Sequence, residues 1–218
     1  MDRGKLESII SKGVDFEIKD ILTRGWETFR VNSMMHIGFT FLLMFVQFLF
    51  TFFMEDYLFI FTIFLAPALV TGFYLIANRI SQQEFFDFPD YFHGFRYWLA
   101  VIIVNLISSI LVVLGIFLFV IPAIYLLVSY MFCLLFTVFG GFEFWTSMEL
   151  SRRLVSTNWF KFFLFGLVLL LINLAGILTL GVGLLFTIPW SYFSVYVLFE
   201  ELTRDAVIVN STSDDDHS

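Results

Sequence analysis

The chain has 218 residues, of which 60% are hydrophobic and only 14% are charged, whereas about 25% of residues are charged in a typical soluble domain. So few polar side chains cannot cover the surface of a soluble domain, and this composition suits a lipid bilayer as solvent. The net charge of −7 disfavours nucleic acid as a partner, and the single cysteine excludes an intrachain disulfide and a cysteine-based zinc site.

Residues 1–33 form a charged N-terminal segment, with six basic and six acidic side chains. They contain no leading apolar core of the kind that a cleaved signal peptide has. Phe16, Ile21, Trp26 and Phe29 recur at helical spacing among the charged residues. This pattern predicts a cytoplasmic amphipathic helix that lies at the level of the lipid headgroups.

The apolar runs that follow predict six membrane-spanning helices. Residues 31–54 and 57–78 each supply one crossing, since a span takes about 20 residues at a rise of about 1.5 Å per residue. The run 97–142 has 46 residues, and a single helix of that length would be roughly twice as long as the hydrocarbon layer is thick. The run 162–199 has 38 residues and must fold back in the same way. The predicted spans lie in a membrane domain of residues 34–204, near 34–53, 57–78, 97–115, 119–139, 162–179 and 183–199.

Glycine and proline mark the two reversals that no charge marks. The first falls between Gly115 and Pro122, and the second falls between Leu178 and Pro189. Glycine supplies unusual backbone dihedrals, and proline is tolerated in the first turn of a new helix. We therefore expect an all-α polytopic membrane bundle of three hairpins with interfacial amphipathic helices. A re-entrant or shallow hairpin at either uncharged turn is the alternative.

The basic residues predict the orientation of the bundle. All 12 Lys and Arg precede the first span, follow the last one, or lie in the two connections on the same side. By the positive-inside rule, both termini are expected in the cytoplasm. The acidic C-terminal tail, residues 205–218, is expected to be disordered.

Two connections between the hairpins repeat the amphipathic pattern. Aromatic residues from Phe88 to Trp98 recur at helical spacing, and a second segment runs from Trp145 to Trp159. In the second segment Glu149 and Arg153 have the i,i+4 spacing of an ion pair. Tryptophan is typical of the membrane interface, and four residues are predicted to be interfacial anchors: Trp26, Trp98, Trp145 and Trp159.

Few polar side chains fall inside the predicted spans. Gln47, Asn105, Ser108 and Asn173 are the candidate interior polar residues, and His36 is expected at the interface, at the cytoplasmic end of the first span. Asn105 and Asn173 precede Pro122 and Pro189 by 17 and 16 residues, and the second and third hairpins are similar around these prolines. The two asparagines are therefore expected to face each other. Their functional interpretation is a polar path for a solute or lipid, and the alternative is hydrogen bonding between packed helices.

No catalytic or metal-ligand pattern is recognisable in the chain. His36, His93 and His217 lie in separate segments, and the sequence contains no HExxH, GxSxG or Walker motif. We therefore expect no enzymatic activity, cofactor or metal. A lipid-modifying site near Arg152, Arg153 and Asn158 is the weakest of the alternatives.

The residues from Phe16 to Phe29 and those from Trp145 to Tyr192, which include Asn173, Gly181 and Pro189, resemble a broad group of bacterial multi-pass proteins. The group includes uncharacterised inner-membrane proteins and the membrane domain joined to some glycerophosphodiester phosphodiesterases. The resemblance spans most of the chain and rests on hydrophobic, glycine and proline positions. It implies a six-helix domain in a bacterial inner membrane and carries over no catalytic residue.

The leading functional hypothesis is a structural or accessory membrane protein that binds a partner or lipid through its amphipathic segments. The alternative is a small transporter or channel for a solute or lipid. The expected partners are the lipid bilayer and either another protein or a second copy of the chain.

Overall fold

The structure, a computed structural model, describes residues 1–118 and 120–207, and within these residues every regular element is a helix. The prediction of an all-α fold is confirmed. The helices are α1 Arg3–Lys12, α2 Ile18–Arg30, α3 Ser33–Phe53, α4 Leu58–Ile60, α5 Ala66–Ser81, α6 Trp98–Leu118, α7 Val120–Ser129, α8 Cys133–Gly140, α9 Phe144–Ser156, α10 Trp159–Leu178 and α11 Leu184–Val207. Single turns surround α4, and a 3-10 helix, Phe88–Tyr97, precedes α6. Most of the predicted tail lies outside the described residues, but residues 205–207 belong to α11.

Several helical stretches are long and apolar enough to cross a membrane, as expected of a multi-pass membrane protein. There are five of them among the described residues: Ser33–Phe53, Glu55–Ser81, Phe88–Phe117, Val120–Gly140 and Trp159–Leu178. They overlap the first five predicted spans. Helix α11 is long as well, but its Ser and Thr residues and the pair Glu200 and Glu201 make it less apolar.

The tightest packing lies at one end of the bundle, where α3 begins and α11 ends. Helix α3 buries His36, Phe39 and Thr40 near its start, while its later phenylalanines are largely exposed. Helix α11 buries every residue from 193 to 199. Exposed large apolar side chains are suited to contact with lipid, since lipid tails are as apolar as the side chains themselves. The other end is therefore held together by fewer contacts within the protein.

Helix α11 is the central helix of this packed end. It contacts α1, α2, α3, α5 and α10. Three of its aromatic rings, those of Phe193, Tyr196 and Phe199, pack against rings from neighbouring helices with centroid separations of 4.7–6.3 Å. Aromatic pairs in this range add to the stability that burial alone provides.

The 3-10 helix lies directly against α5 through two glycines. A Cβ atom at Gly72 would lie 2.2 Å from the carbonyl oxygen of Tyr91, and one at Gly94 would lie 2.0 Å from that of Ala68. Only glycine permits so close an approach of two backbones. The side chain of Tyr91 is consequently fully buried, whereas the sequence predicted a helix at the headgroup level.

Two helix boundaries lie where glycine and proline marked the expected reversals. Helix α6 ends at Leu118 and α7 begins at Val120, so Pro122 is in the first turn of the new helix. The second reversal joins α10 to α11, and Leu180 and Gly181 adopt positive φ angles of 57° and 80° there. Pro189, however, lies inside α11. The prediction of a first-turn proline is wrong at this position because α11 begins five residues earlier, at Leu184.

A third proline, Pro67, follows an irregular turn. The segment Phe61–Leu65 is a π-helical turn, and α5 begins immediately after it. Proline removes a backbone donor and clashes with the carbonyl group four residues earlier. The π-helical turn before Pro67 therefore accommodates the missing backbone hydrogen bond and the clash.

Candidate functional site

The candidate interior polar residues do not form one site. Asn173 donates through Nδ2 to Ser191 Oγ at 2.7 Å and to the Leu169 carbonyl at 2.8 Å. Among the described residues no hydrogen bond joins it to Asn105, which is half-buried. Ser108 Oγ lies 3.6 Å from Cys133 Sγ. The two asparagines that were expected to face each other are therefore not joined by a hydrogen bond.

Gln47 does not lie in the interior, where the sequence predicted it. Its side chain is exposed on α3 and donates to Thr51 Oγ1 at 3.3 Å, one turn away on the same helix. The prediction that Gln47 faces the interior is wrong because α3 contributes buried residues only near its start. This hydrogen bond within α3 partly satisfies the exposed side-chain amide of Gln47.

Several polar side chains are instead gathered at the packed end. Asn78 Nδ2 donates to the hydroxyl of Tyr196 at 2.7 Å, and Ser81 Oγ donates to the carboxylate of Glu200. These residues have i,i+3 spacing on α5 and i,i+4 spacing on α11, so each pair lies on one helix face. Asn78, Tyr196 and Glu200 line a cleft of about 360 Å³ together with Gln82 and neighbouring residues. The matched spacings were the available sequence signal, but nothing in the sequence showed that α5 and α11 are neighbours.

The N-terminal segment is bound to the same end by polar contacts. Arg24 of α2 pairs with Glu201 of α11, and Trp190 Nε1 donates to the Leu22 carbonyl at 2.9 Å. Lys161 of α10 pairs with Asp15, and this hydrogen bond holds the pKa of Asp15 below its usual range. Below, "the charged end" denotes α1, α2, the 3-10 helix, α9 and the helix ends that they contact.

His36 is buried at the charged end rather than exposed at an interface. Its Nε2 lies 2.7 Å from the Val31 carbonyl, and its Nδ1 bonds to the hydroxyl of Tyr91. Because a carbonyl can only accept, Nε2 carries a proton, and the hydroxyl of Tyr91 is the partner of Nδ1. Both ring nitrogens therefore have a hydrogen-bond partner. Tyr91 and its 3-10 helix cover the ring, and the position of His36 at the level of the membrane interface stays a prediction.

The ion pair in α9 differs from the predicted one. Glu149 accepts two hydrogen bonds from Arg152, at 2.8 and 2.7 Å. This contact lowers the pKa of Glu149 and raises that of Arg152. Arg153, the predicted partner, instead points towards α1, with Nη1 3.7 Å from the Glu7 carboxylate. Contact between α1 and α9 therefore replaces the i,i+4 pair.

The predicted tryptophan anchors have two kinds of surroundings. Trp145 is the most exposed at 65%, and Trp98 is exposed at 43% while its Nε1 donates to the Phe64 carbonyl at 2.8 Å. Trp26 is 36% exposed and packs edge-on against Trp190. Trp159, by contrast, stacks on the rings of Tyr125 and Phe163, and its Nε1 is buried. Trp159 therefore acts as a packing residue between α7 and α10.

Two grooves open at the surface of the charged end. One, of about 630 Å³, lies between α2, α10 and α11 and is lined by Lys19, Trp26, Trp190 and apolar side chains. The other, of about 610 Å³, lies where the 3-10 helix joins α6 and faces α8 and the start of α9. Arg96 and Glu143 contribute opposite charges to the second groove. Both volumes are large enough for a small-molecule or lipid headgroup contact.

Comparison of the chain with protein-family models, curated proteins and solved structures gives no match. The resemblance to bacterial inner-membrane proteins therefore stays a prediction. Within residues 1–118 and 120–207, no three His, Cys, Asp or Glu side chains lie close enough together to hold a metal ion.

Proposed function

We propose that the protein is a structural or accessory protein of the cell inner membrane, which it crosses six times with both termini in the cytoplasm. The sixth crossing would be α11, whose 24 residues correspond to about 36 Å. Its modest apolarity is compatible with a crossing, because neighbouring helices cover much of its surface. The location of every Lys and Arg near the charged end supports the cytoplasmic orientation.

The observation that carries the proposed role is the construction of the charged end. Three segments that could have been plain loops, α2, the 3-10 helix and α9, are ordered helices packed on the bundle. Arg24–Glu201 and Lys161–Asp15 tie residues more than 140 positions apart in the chain. A rigid surface of this kind suits recognition, since a preorganised site loses less entropy when it binds. The protein would bind another protein or lipid there.

The transport alternative has less support. Gln47 is exposed, and Asn173 is bonded to Ser191 of the adjacent helix. The polar side chains that were expected to line a path therefore do not provide one together. An intramembrane asparagine of this kind more simply joins two packed helices.

Photocrosslinking in intact cells tests the proposed role. Benzoylphenylalanine would replace Phe85, which is fully exposed at the charged end, or Trp145. The matched control is Phe117, which is 84% exposed at the other end of α6. We expect a discrete crosslinked product of defined mass at positions 85 and 145 and none at 117. Absence of such products, together with solute flux in proteoliposomes of the purified protein, would contradict the proposal and favour a transporter.

Orientation is tested separately by cysteine labelling in a Cys133→Ser background. An impermeant maleimide added outside intact cells should label a cysteine at Asp56 or Gly181, between predicted spans. It should not label one at Phe85 or Asp205 until the membrane is opened. Labelling of position 205 from outside would exclude the sixth crossing.

A further inference from the structure

The groove at the start of α6 contains two opposite charges without ionic partners. Arg96 lies in the last turn of the 3-10 helix, and Glu143 occupies the N-cap position of α9. Both side chains are exposed and line the same space of about 610 Å³. Within the part of the chain that the structure describes, neither has a Lys, Arg, Asp or Glu partner within 4.0 Å. They do not pair with each other either, so a ligand can reach both.

The backbone beneath these two side chains is held by neighbouring elements. Arg96 follows Gly94 by two residues, and Gly94 lies in backbone contact with Ala68 of α5. The carbonyl of Glu143 accepts the Ser147 amide at 2.9 Å, and its side chain makes no capping hydrogen bond to α9. The carboxylate is thus left free for another donor.

The remainder of the groove has the character of the membrane interface. Leu99 and Ile103, on the first turns of α6, supply an apolar wall, and Leu99 is 68% exposed. Tyr97 and Phe144 add aromatic edges. Aromatic side chains are typical of the headgroup level, with the hydrocarbon region beyond them. A ligand with a polar head and an acyl chain would therefore meet matching surfaces in the right order.

We propose that this groove binds a phospholipid whose headgroup carries a primary ammonium group, such as phosphatidylethanolamine. The phosphate would bind the guanidinium of Arg96, and the ammonium group would donate to the carboxylate of Glu143. Hydrogen bonds between charged groups are shorter and stronger than neutral ones. This inference rests on the proposed accessory role and names the lipid class for one of its surfaces.

The charge pair also explains which lipids the groove disfavours. An anionic headgroup, such as that of phosphatidylglycerol, has hydroxyl donors but no positive charge to pair with Glu143, and its net charge is repelled by the carboxylate. A choline headgroup has the same net charge as an ethanolamine one, but its quaternary nitrogen has no N–H to donate. The groove therefore selects by charge pattern and by hydrogen-bond donors together.

The test is native mass spectrometry of the full-length protein, titrated with dioleoyl forms of phosphatidylethanolamine, phosphatidylglycerol and phosphatidylcholine. We expect phosphatidylethanolamine to bind about tenfold more tightly than the other two, which corresponds to the loss of one good charge-assisted hydrogen bond. Arg96→Gln should weaken all three lipids. Glu143→Gln should remove the preference for ethanolamine over choline while leaving the phosphate contact.

The matched controls are Arg30→Gln and Glu27→Gln, the same charge changes on α2, where both residues are exposed and outside the groove. They should leave all three affinities unchanged. Equal binding of the three lipids, or a preference that survives both Arg96→Gln and Glu143→Gln, would overturn the inference. Neither result would touch the accessory role, which crosslinking and flux measurements decide. A thermal scan of each variant separates lost binding from lost folding.

Discussion

The contact between α2 and α11 has a sharply defined weak point at Gly25. A Cβ atom added there would lie 2.2 Å from Ser194 Oγ and 2.8 Å from Ser194 Cα. The hydroxyl can rotate away, but the Cα atom moves only if the whole of α11 moves. Gly25→Ala should therefore force α2 away from α11. It would also disturb the ties on either side, the Arg24–Glu201 pair and the Trp190–Leu22 hydrogen bond.

The size of this effect follows from two opposing contributions. Overpacking of this kind costs about 1–3 kcal/mol, and the backbone contact argues for the upper value. Replacing a helical glycine by alanine returns about 1 kcal/mol of helix propensity. The net loss of about 2 kcal/mol should lower the melting temperature of the detergent-solubilised protein by about 4–8 °C in a domain of this size.

The assay is thermal unfolding followed by tryptophan fluorescence. The control is Gly166→Ala on α10, because a Cβ there would lie 3.6 Å from Met131, an ordinary van der Waals distance. That variant should be as stable as the parent or slightly more stable. In the double variant, Ser194→Ala removes the nearest clashing atom and should restore part of the loss. If Gly25→Ala were as stable as Gly166→Ala, the close packing of α2 on α11 would be refuted.

Three further predictions test the polar contacts. Trp190→Phe should lose the hydrogen bond to Leu22 and about 1 kcal/mol of stability in a thermal scan, whereas Trp145→Phe, at an exposed position, should lose little. Asn173→Leu should change stability by no more than about 1 kcal/mol and leave the solute permeability of proteoliposomes unaltered; altered flux would revive the transport alternative. The contact with Lys161 lowers the pKa of Asp15. The pair therefore stabilises the fold at pH values above the usual carboxyl pKa, and this stabilisation is lost as the pH falls through the lowered pKa of Asp15. Carboxyl NMR should thus give Asp15 a lower titration midpoint in the parent than in Lys161→Gln, and equal midpoints would contradict the pair.

The positions of the long helices could be predicted from the sequence because two simple quantities bound them. Charged residues are excluded from the hydrocarbon region, and the thickness of that region sets the length of a crossing. The 46-residue run was expected to fold back between Gly115 and Pro122, and α6 ends and α7 begins between these two residues. At the second boundary Pro189 led to a wrong prediction of the helix start, since a proline is also tolerated in a helix interior when neighbouring helices support it.

The pairing of helices could not be predicted in the same way. Hydrophobicity marks a residue as apolar but does not distinguish a lipid contact from a protein contact, because both surroundings are apolar. Phe39 and Phe41 are two residues apart in one run, yet one is fully buried and the other is 59% exposed. The partners of His36 and Asn78 come from elements 55 and 118 positions away. Only the assembled bundle identifies such contacts.

The central place of α11 bears on how the protein is made. It follows the other described helices in the chain, so it would leave the ribosome after α3, α5 and α10. Until it arrives, Phe73 and Tyr74 lack the ring of Tyr192, which completes their packing. Until α11 docks, the earlier helices would expose surfaces that it later covers, and incompletely packed intermediates are the species that chaperones and proteases recognise. Cellular quality control of this protein would therefore respond to whether α11 has docked.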